Sequence, residues 1–129
     1  MIIQSLKKYG LSGLLCIVIL ILCLMNTQDF PEAPMSNFDK LVHTILFLAV
    51  SGVVFFDNTA RLKIKISERR LFLGSLIFPI VFSGLIEILQ EYCTLYRTGD
   101  WMDWVFDSVG AATGWIICWA LNRLNRRRL

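Results

Sequence analysis

Nine polar side chains recur at helical spacing in this chain: Lys40 and His43, then Glu87, Gln90 and Glu91, then Arg97, Asp100, Asp103 and Asp107. An imidazole and a carboxylate can exchange protons with a bound group. Lysine and arginine can hold a phosphate or carboxylate. Each of the nine lies at or just inside the end of a long apolar run, where ionisable groups are costly. His43, Glu87 and Asp107 each lie about one turn, roughly 5.4 Å, inside their runs. Glu87 and His43 are therefore the candidate catalytic acid and base. Lys40, Gln90, Glu91, Arg97, Asp100, Asp103 and Asp107 are the candidate ligand-binding groups.

The elements that must position them are apolar. Of 129 residues, 56% are hydrophobic, and the mean hydropathy is +0.61. Four long runs, 11–25, 41–56, 71–89 and 105–121, contain few polar residues. With their flanks they approach the roughly 17 to 25 residues that cross a bilayer core. Backbone groups find no water there, so the runs must be helical. The predicted fold is all-α: a polytopic four-helix transmembrane bundle forming one domain over 1–129. Its helices are expected at about 6–25, 39–56, 70–90 and 104–122. The first run follows Lys7 and Lys8 as a signal peptide would, but bulky residues replace the small-residue cleavage site. A retained helix is expected.

Charge sets the expected topology. Lys7 and Lys8, then Arg61, Lys63, Lys65, Arg69 and Arg70, then Arg123, Arg126, Arg127 and Arg128 fall on alternate connections. The positive-inside rule puts both termini and the middle loop in the cytoplasm. The connections holding the polar set then face outward. Basic tails of this kind report orientation and attraction to anionic lipid, so no nucleic-acid partner is expected. Pro31 and Pro34 predict an irregular segment over 26–39, lying along the interface through Phe30, Met35 and Phe38. Tyr92, Tyr96, Trp101 and Trp104 read as an interfacial aromatic belt. Cys16, Cys23, Cys93 and Cys118 lack metal or redox spacing.

Helical spacing also sorts the faces. Asp103, Asp107, Gly110 and Gly114 share one stripe of helix four, and its G-x-x-x-G half admits a close neighbour. Gly84, Glu87 and Glu91 share a stripe of helix three, with Gln90 on its shoulder. Lys40 and His43 face alike on helix two. Pro79 predicts a bend in helix three. The opposite halves of helices two to four offer only Ser, Thr and Gly, which argues against a proton relay across the membrane. With one histidine and no H-E-x-x-H spacing, neither a metal nor a cofactor is expected. Ser108 adjoins Asp107 but faces elsewhere, so it is no nucleophile candidate. A second reading treats the polar set as ion pairs that fix helix order, Lys40 with Asp103 or Arg97 with Glu91.

Taken together, Lys40-x-x-His43, Glu87-x-x-Gln90 and Arg97-x-x-Asp100-x-x-Asp103-x-x-x-Asp107-x-x-Gly110-x-x-x-Gly114 resemble the VanZ-like family of small bacterial membrane proteins. The resemblance covers 39–114. Members often carry Asn at the position of Asp107. The resemblance implies a bundle in the bacterial cytoplasmic membrane, and its namesake is associated with resistance to the glycopeptide teicoplanin.

The expected function is an envelope factor whose outward pocket engages a lipid-linked cell-wall precursor or an anionic headgroup, with membrane lipids as its surroundings. The alternative is a non-catalytic membrane scaffold. Transport is disfavoured, because the polar groups crowd one face and no inverted repeat is evident.

Overall fold

The computed structural model describes residues 8–25, 37–59, 66–95 and 98–127. Arg97, Tyr96 and most of the predicted interfacial segment, including Phe30 and Met35, lie outside these residues. All regular structure among the described residues is helical: α1 (Gly10–Leu24), α2 (Phe38–Thr59), α3 (Glu68–Cys93) and α4 (Trp101–Arg126).

Helices α2, α3 and α4 have 22, 26 and 26 residues. At about 1.5 Å per residue each exceeds a hydrocarbon core of about 30 Å. Helix α1 is shorter than the predicted 6–25. Its 15 residues reach only about 22 Å. Among the described residues the bundle therefore has three helices long and apolar enough to span a membrane, plus a shorter apolar one.

Its outer surface fits lipid. Leu14, Ile17, Leu85, Ile88, Ile116 and Leu121 are each more than half exposed. The packed interior is small: Ile19 and Cys23 of α1 meet Phe47, Val50 and Val54 of α2 and Ile86 of α3.

Helices α2 and α4 make the most intimate pair. A methyl group added at Gly110 would strike the backbone oxygen of Thr44, and one at Gly114 would lie 2.6 Å from that of Leu48. The G-x-x-x-G spacing thus does what its chemistry predicts: it lets two backbones touch.

Helix α3 contains a π-helical turn over Leu73–Ile77, just before Pro79. The amide of Phe78 bonds to the carbonyl of Leu73, five residues back. Proline has no N–H for the carbonyl of Ser75, four residues before it. The buried Ser51 hydroxyl of α2 donates to that carbonyl at 2.6 Å.

Three helices run past their predicted ends. Ser67 caps α3, accepting from the amide of Arg70, and Asp100 caps α4, accepting from that of Met102 at 2.9 Å. Helix α2 continues through Asp57 and Asn58, which are 0% and 2% exposed. The expectation that the far halves offer only Ser, Thr and Gly is therefore corrected. Asp57 Oδ2 accepts from the backbone amide and the hydroxyl of Ser12 at 3.0 and 2.7 Å. A carboxylate borrowed from α2 thereby satisfies the exposed N–H end of α1, where helix polarity favours a negative charge. Beside it, the Tyr9 hydroxyl donates to Asn58 at 3.0 Å.

Candidate functional site

The first turns of α2, the last turns of α3, residues 98–100 and the first turns of α4 converge at one end of the bundle. Because α2 and α4 touch through glycine, side chains one turn above the contact are forced together. His43 Nδ1 lies 3.0 Å from Asp107 Oδ1, with both residues buried. Nearer the end, Lys40 Nζ reaches Asp103 Oδ1 at 3.3 Å and Asp100 Oδ2 at 3.5 Å.

Two glutamates of α3 hold the connection to α4. Glu91 Oε2 accepts from the amide of Gly99 at 2.9 Å, and Glu87 Oε2 from that of Asp100 at 2.8 Å. Gly99 is required for this docking: a β-carbon there would press on the carbonyl of Glu87 and the side chain of Glu91. Asp100 consequently does three things. Its amide binds Glu87, its side chain caps α4, and its other oxygen meets Lys40.

The deeper groups have unused capacity. Among the described residues Glu87 Oε1 and Asp107 Oδ2 have no hydrogen-bond partner, and their residues are only 7% and 1% exposed. A buried carboxylate oxygen with no donor is costly. His43, Glu87 and Asp107 each offer a ligand atom within 4.8 Å of the others, and Asp39, His43 and Asp103 form a second such group. Among the described residues the cluster is richer in acid than in base, with Lys40 engaging only Asp100 and Asp103.

A lateral groove of about 600 Å³ opens between α3 and α4 beside this cluster. Val81, Leu85 and Ile88 line its apolar length, Trp101 and Trp104 wall it, and Glu87 and Glu91 lie at its polar end. Trp104 is more than belt material. Its indole N–H donates to the carbonyl of Ile80 at 3.0 Å, and its ring lies over Gly84, where a β-carbon would sit 3.1 Å from Nε1.

Of the residues picked from sequence, Lys40, His43, Glu87, Asp100, Asp103 and Asp107 are brought together, and Glu91 sits exposed at the rim. Gln90 is turned elsewhere: its amide donates to the carbonyl of Cys23 in α1 at 2.9 Å. Gly84, Gly110 and Gly114 serve packing. Ser108 bonds its own helix through the carbonyl of Trp104 at 2.8 Å, away from any nucleophilic role. Gly99 and the capping role of Asp100 were overlooked. An aspartate opening a helical pattern is itself a capping signal.

A family model described as VanZ/LLP1 matches residues 12–122. No curated protein and no solved structure matches the chain.

Proposed function

This chain belongs to the VanZ/LLP1 family, and from that premise we propose that it is a membrane-embedded envelope factor that binds a lipid-linked or anionic-headgroup ligand. The observation carrying this reading is the juxtaposition of a buried ionisable cluster with an apolar groove open along the side of the bundle. An amphiphile's tail would lie along Val81, Leu85 and Ile88 while its head meets the polar end. Lys40 is the anion-binding group within the cluster. Its contacts of 3.3 and 3.5 Å are longer than the roughly 2.7–2.9 Å of tight charged hydrogen bonds, so its ammonium can turn toward a headgroup. Arg97 is the second cation of the proposal. Glu87 and His43 are the groups placed to handle a proton. The basic residues Arg69, Arg70, Arg123 and Arg126 lie toward the opposite helix ends. That distribution supports a site facing out of the cytoplasmic membrane, with both termini inside. A link to glycopeptide resistance of the teicoplanin type is part of the same proposal.

The test is Glu87→Gln and His43→Ala in a strain with a measurable envelope or glycopeptide phenotype, with membrane abundance measured in parallel. We expect lost activity at normal abundance. Full activity in both variants overturns the reading.

One observation favours the scaffold alternative. The ion pairs Lys40–Asp100 and Lys40–Asp103 and the His43–Asp107 hydrogen bond all join α2 to the α4 region. If their purpose is to fix that pairing, the substitutions lower abundance and activity in step.

A further inference from the structure

We propose that His43, Glu87 and Asp107 form a binding site for a divalent first-row metal cation. The proposal stands whether or not the groove accepts a lipid.

Three features of the cluster converge on it. The first is the donor set. One imidazole and two carboxylates are the ligands that zinc and manganese take in proteins, and here they come from three different helices. Their ligand atoms lie within 4.8 Å of one another. The tightest pair, His43 Nδ1 and Asp107 Oδ1, is 3.0 Å apart. Two donors bonded at about 2.1 Å on one ion are about 3.0 Å apart at right angles and about 3.4 Å apart at the tetrahedral angle of zinc, a difference that a small side-chain movement covers. A small contraction of Glu87 would complete the triad.

The second feature is the unused oxygen on each acid. Among the described residues Asp107 Oδ2 and Glu87 Oε1 have no hydrogen-bond partner, and both are shut away from solvent. Glu87 is held through its other oxygen, Oε2, which receives the amide of Asp100. Glu87 is therefore anchored through one oxygen while the other remains available, and Asp107 offers Oδ2 beside the oxygen that faces His43. Anchoring by neighbouring hydrogen bonds is how metal ligands are usually oriented.

The third is charge. With both acids ionised and the imidazole neutral, the triad carries two negative charges inside an apolar bundle. Lys40 does not balance them, because it is engaged by Asp103 and Asp100. A divalent ion would neutralise the pair outright. The shallower group of Asp39, His43 and Asp103 is the weaker contender, since Lys40 already competes for Asp103 and Asp39 is exposed.

The experiment uses the full-length chain purified in micelles, stripped with a chelator and then desalted after exposure to Zn²⁺ or Mn²⁺ alone. Metal is measured by plasma mass spectrometry and thermal unfolding is followed on the same samples. We expect about one ion per chain and a raised Tm with at least one of the two metals. Glu87→Gln and Asp107→Asn should each weaken binding by about ten-fold or more, and Glu68→Gln, an exposed change at the other end of α3, should bind as the parent does. Co²⁺ bound to the parent supplies a check that needs no variant: visible d–d bands should appear and be displaced by the metal that binds. A parent chain that retains neither metal, shows no Tm shift and gives no Co²⁺ bands overturns the proposal. So does undiminished binding by both folded variants.

Discussion

Replacing Gly110 by alanine tests the link between packing and site. The added β-carbon would collide with the backbone oxygen of Thr44, and would lie 2.9 Å from its carbonyl carbon and 3.1 Å from its Cα. These are backbone atoms, so no rotamer change relieves the clash. Ordinary contact begins at 3.4 Å, so the carbon must retreat by about 0.5 Å and the oxygen by more. His43 precedes Thr44, and Asp107 lies one turn before Gly110. A hinge opening there stretches their 3.0 Å contact toward or past the roughly 3.5 Å at which a hydrogen bond fails. Overpacking of this kind costs about 1–3 kcal/mol, roughly a 5- to 150-fold loss in the folding equilibrium. Alanine's better helix propensity, about 1 kcal/mol, acts the other way. Gly13→Ala isolates that second effect, because nothing among the described residues lies within 4 Å of a β-carbon there. Unfolding in micelles, by steric trapping or detergent titration, should show Gly110→Ala weakened and Gly13→Ala unchanged or strengthened. Equal stability of the two refutes the claim that backbone contact between α2 and α4 assembles the site.

Two further outcomes follow from the same geometry. Asp100→Ala should cost about 1 kcal/mol through the lost cap, and Asp100→Asn, which can still accept from the amide of Met102, should recover most of it; equal losses by thermal unfolding would show that the cap does not matter. Cys93, exposed at the end of α3 beside the site, should react with a membrane-impermeant maleimide on intact spheroplasts when Cys16, Cys23 and Cys118 are replaced by alanine. Labelling of Cys93 only after lysis would place the site in the cytosol.

Much of this arrangement was legible before any coordinates. The Asp103, Asp107, Gly110 and Gly114 stripe foretold both a close helix partner and the acids it would present, because small residues and helical spacing act locally. Lys40 pairing with Asp103 was one of the two ion pairs that the alternative reading of the polar set named, and it is present. Gln90 was misplaced because it lies between two faces of α3, and its choice of the Cys23 carbonyl depends on where α1 packs. Asp57 went unnoticed for a related reason: a carboxylate after an apolar run looks like a solvated helix end. Only the approach of α1, with the Ser12 amide and hydroxyl to satisfy, makes its burial affordable. The proposed metal triad had no spacing signature at all, since its three members come from three helices.

The π-helical turn over Leu73–Ile77 has an effect that reaches well beyond its own hydrogen bonds. An ordinary α-helix turns about 100° per residue, and a π turn accommodates one residue more. Everything downstream is therefore rotated by about a quarter turn relative to an unbroken helix. Glu87 and Glu91 owe their aim to that offset. Shortening the segment by one residue would give a more regular rod whose acids swing out of alignment with His43. The irregular turn is thus a phase adjuster, and the Ser51 hydroxyl on the Ser75 carbonyl is the latch that holds its setting.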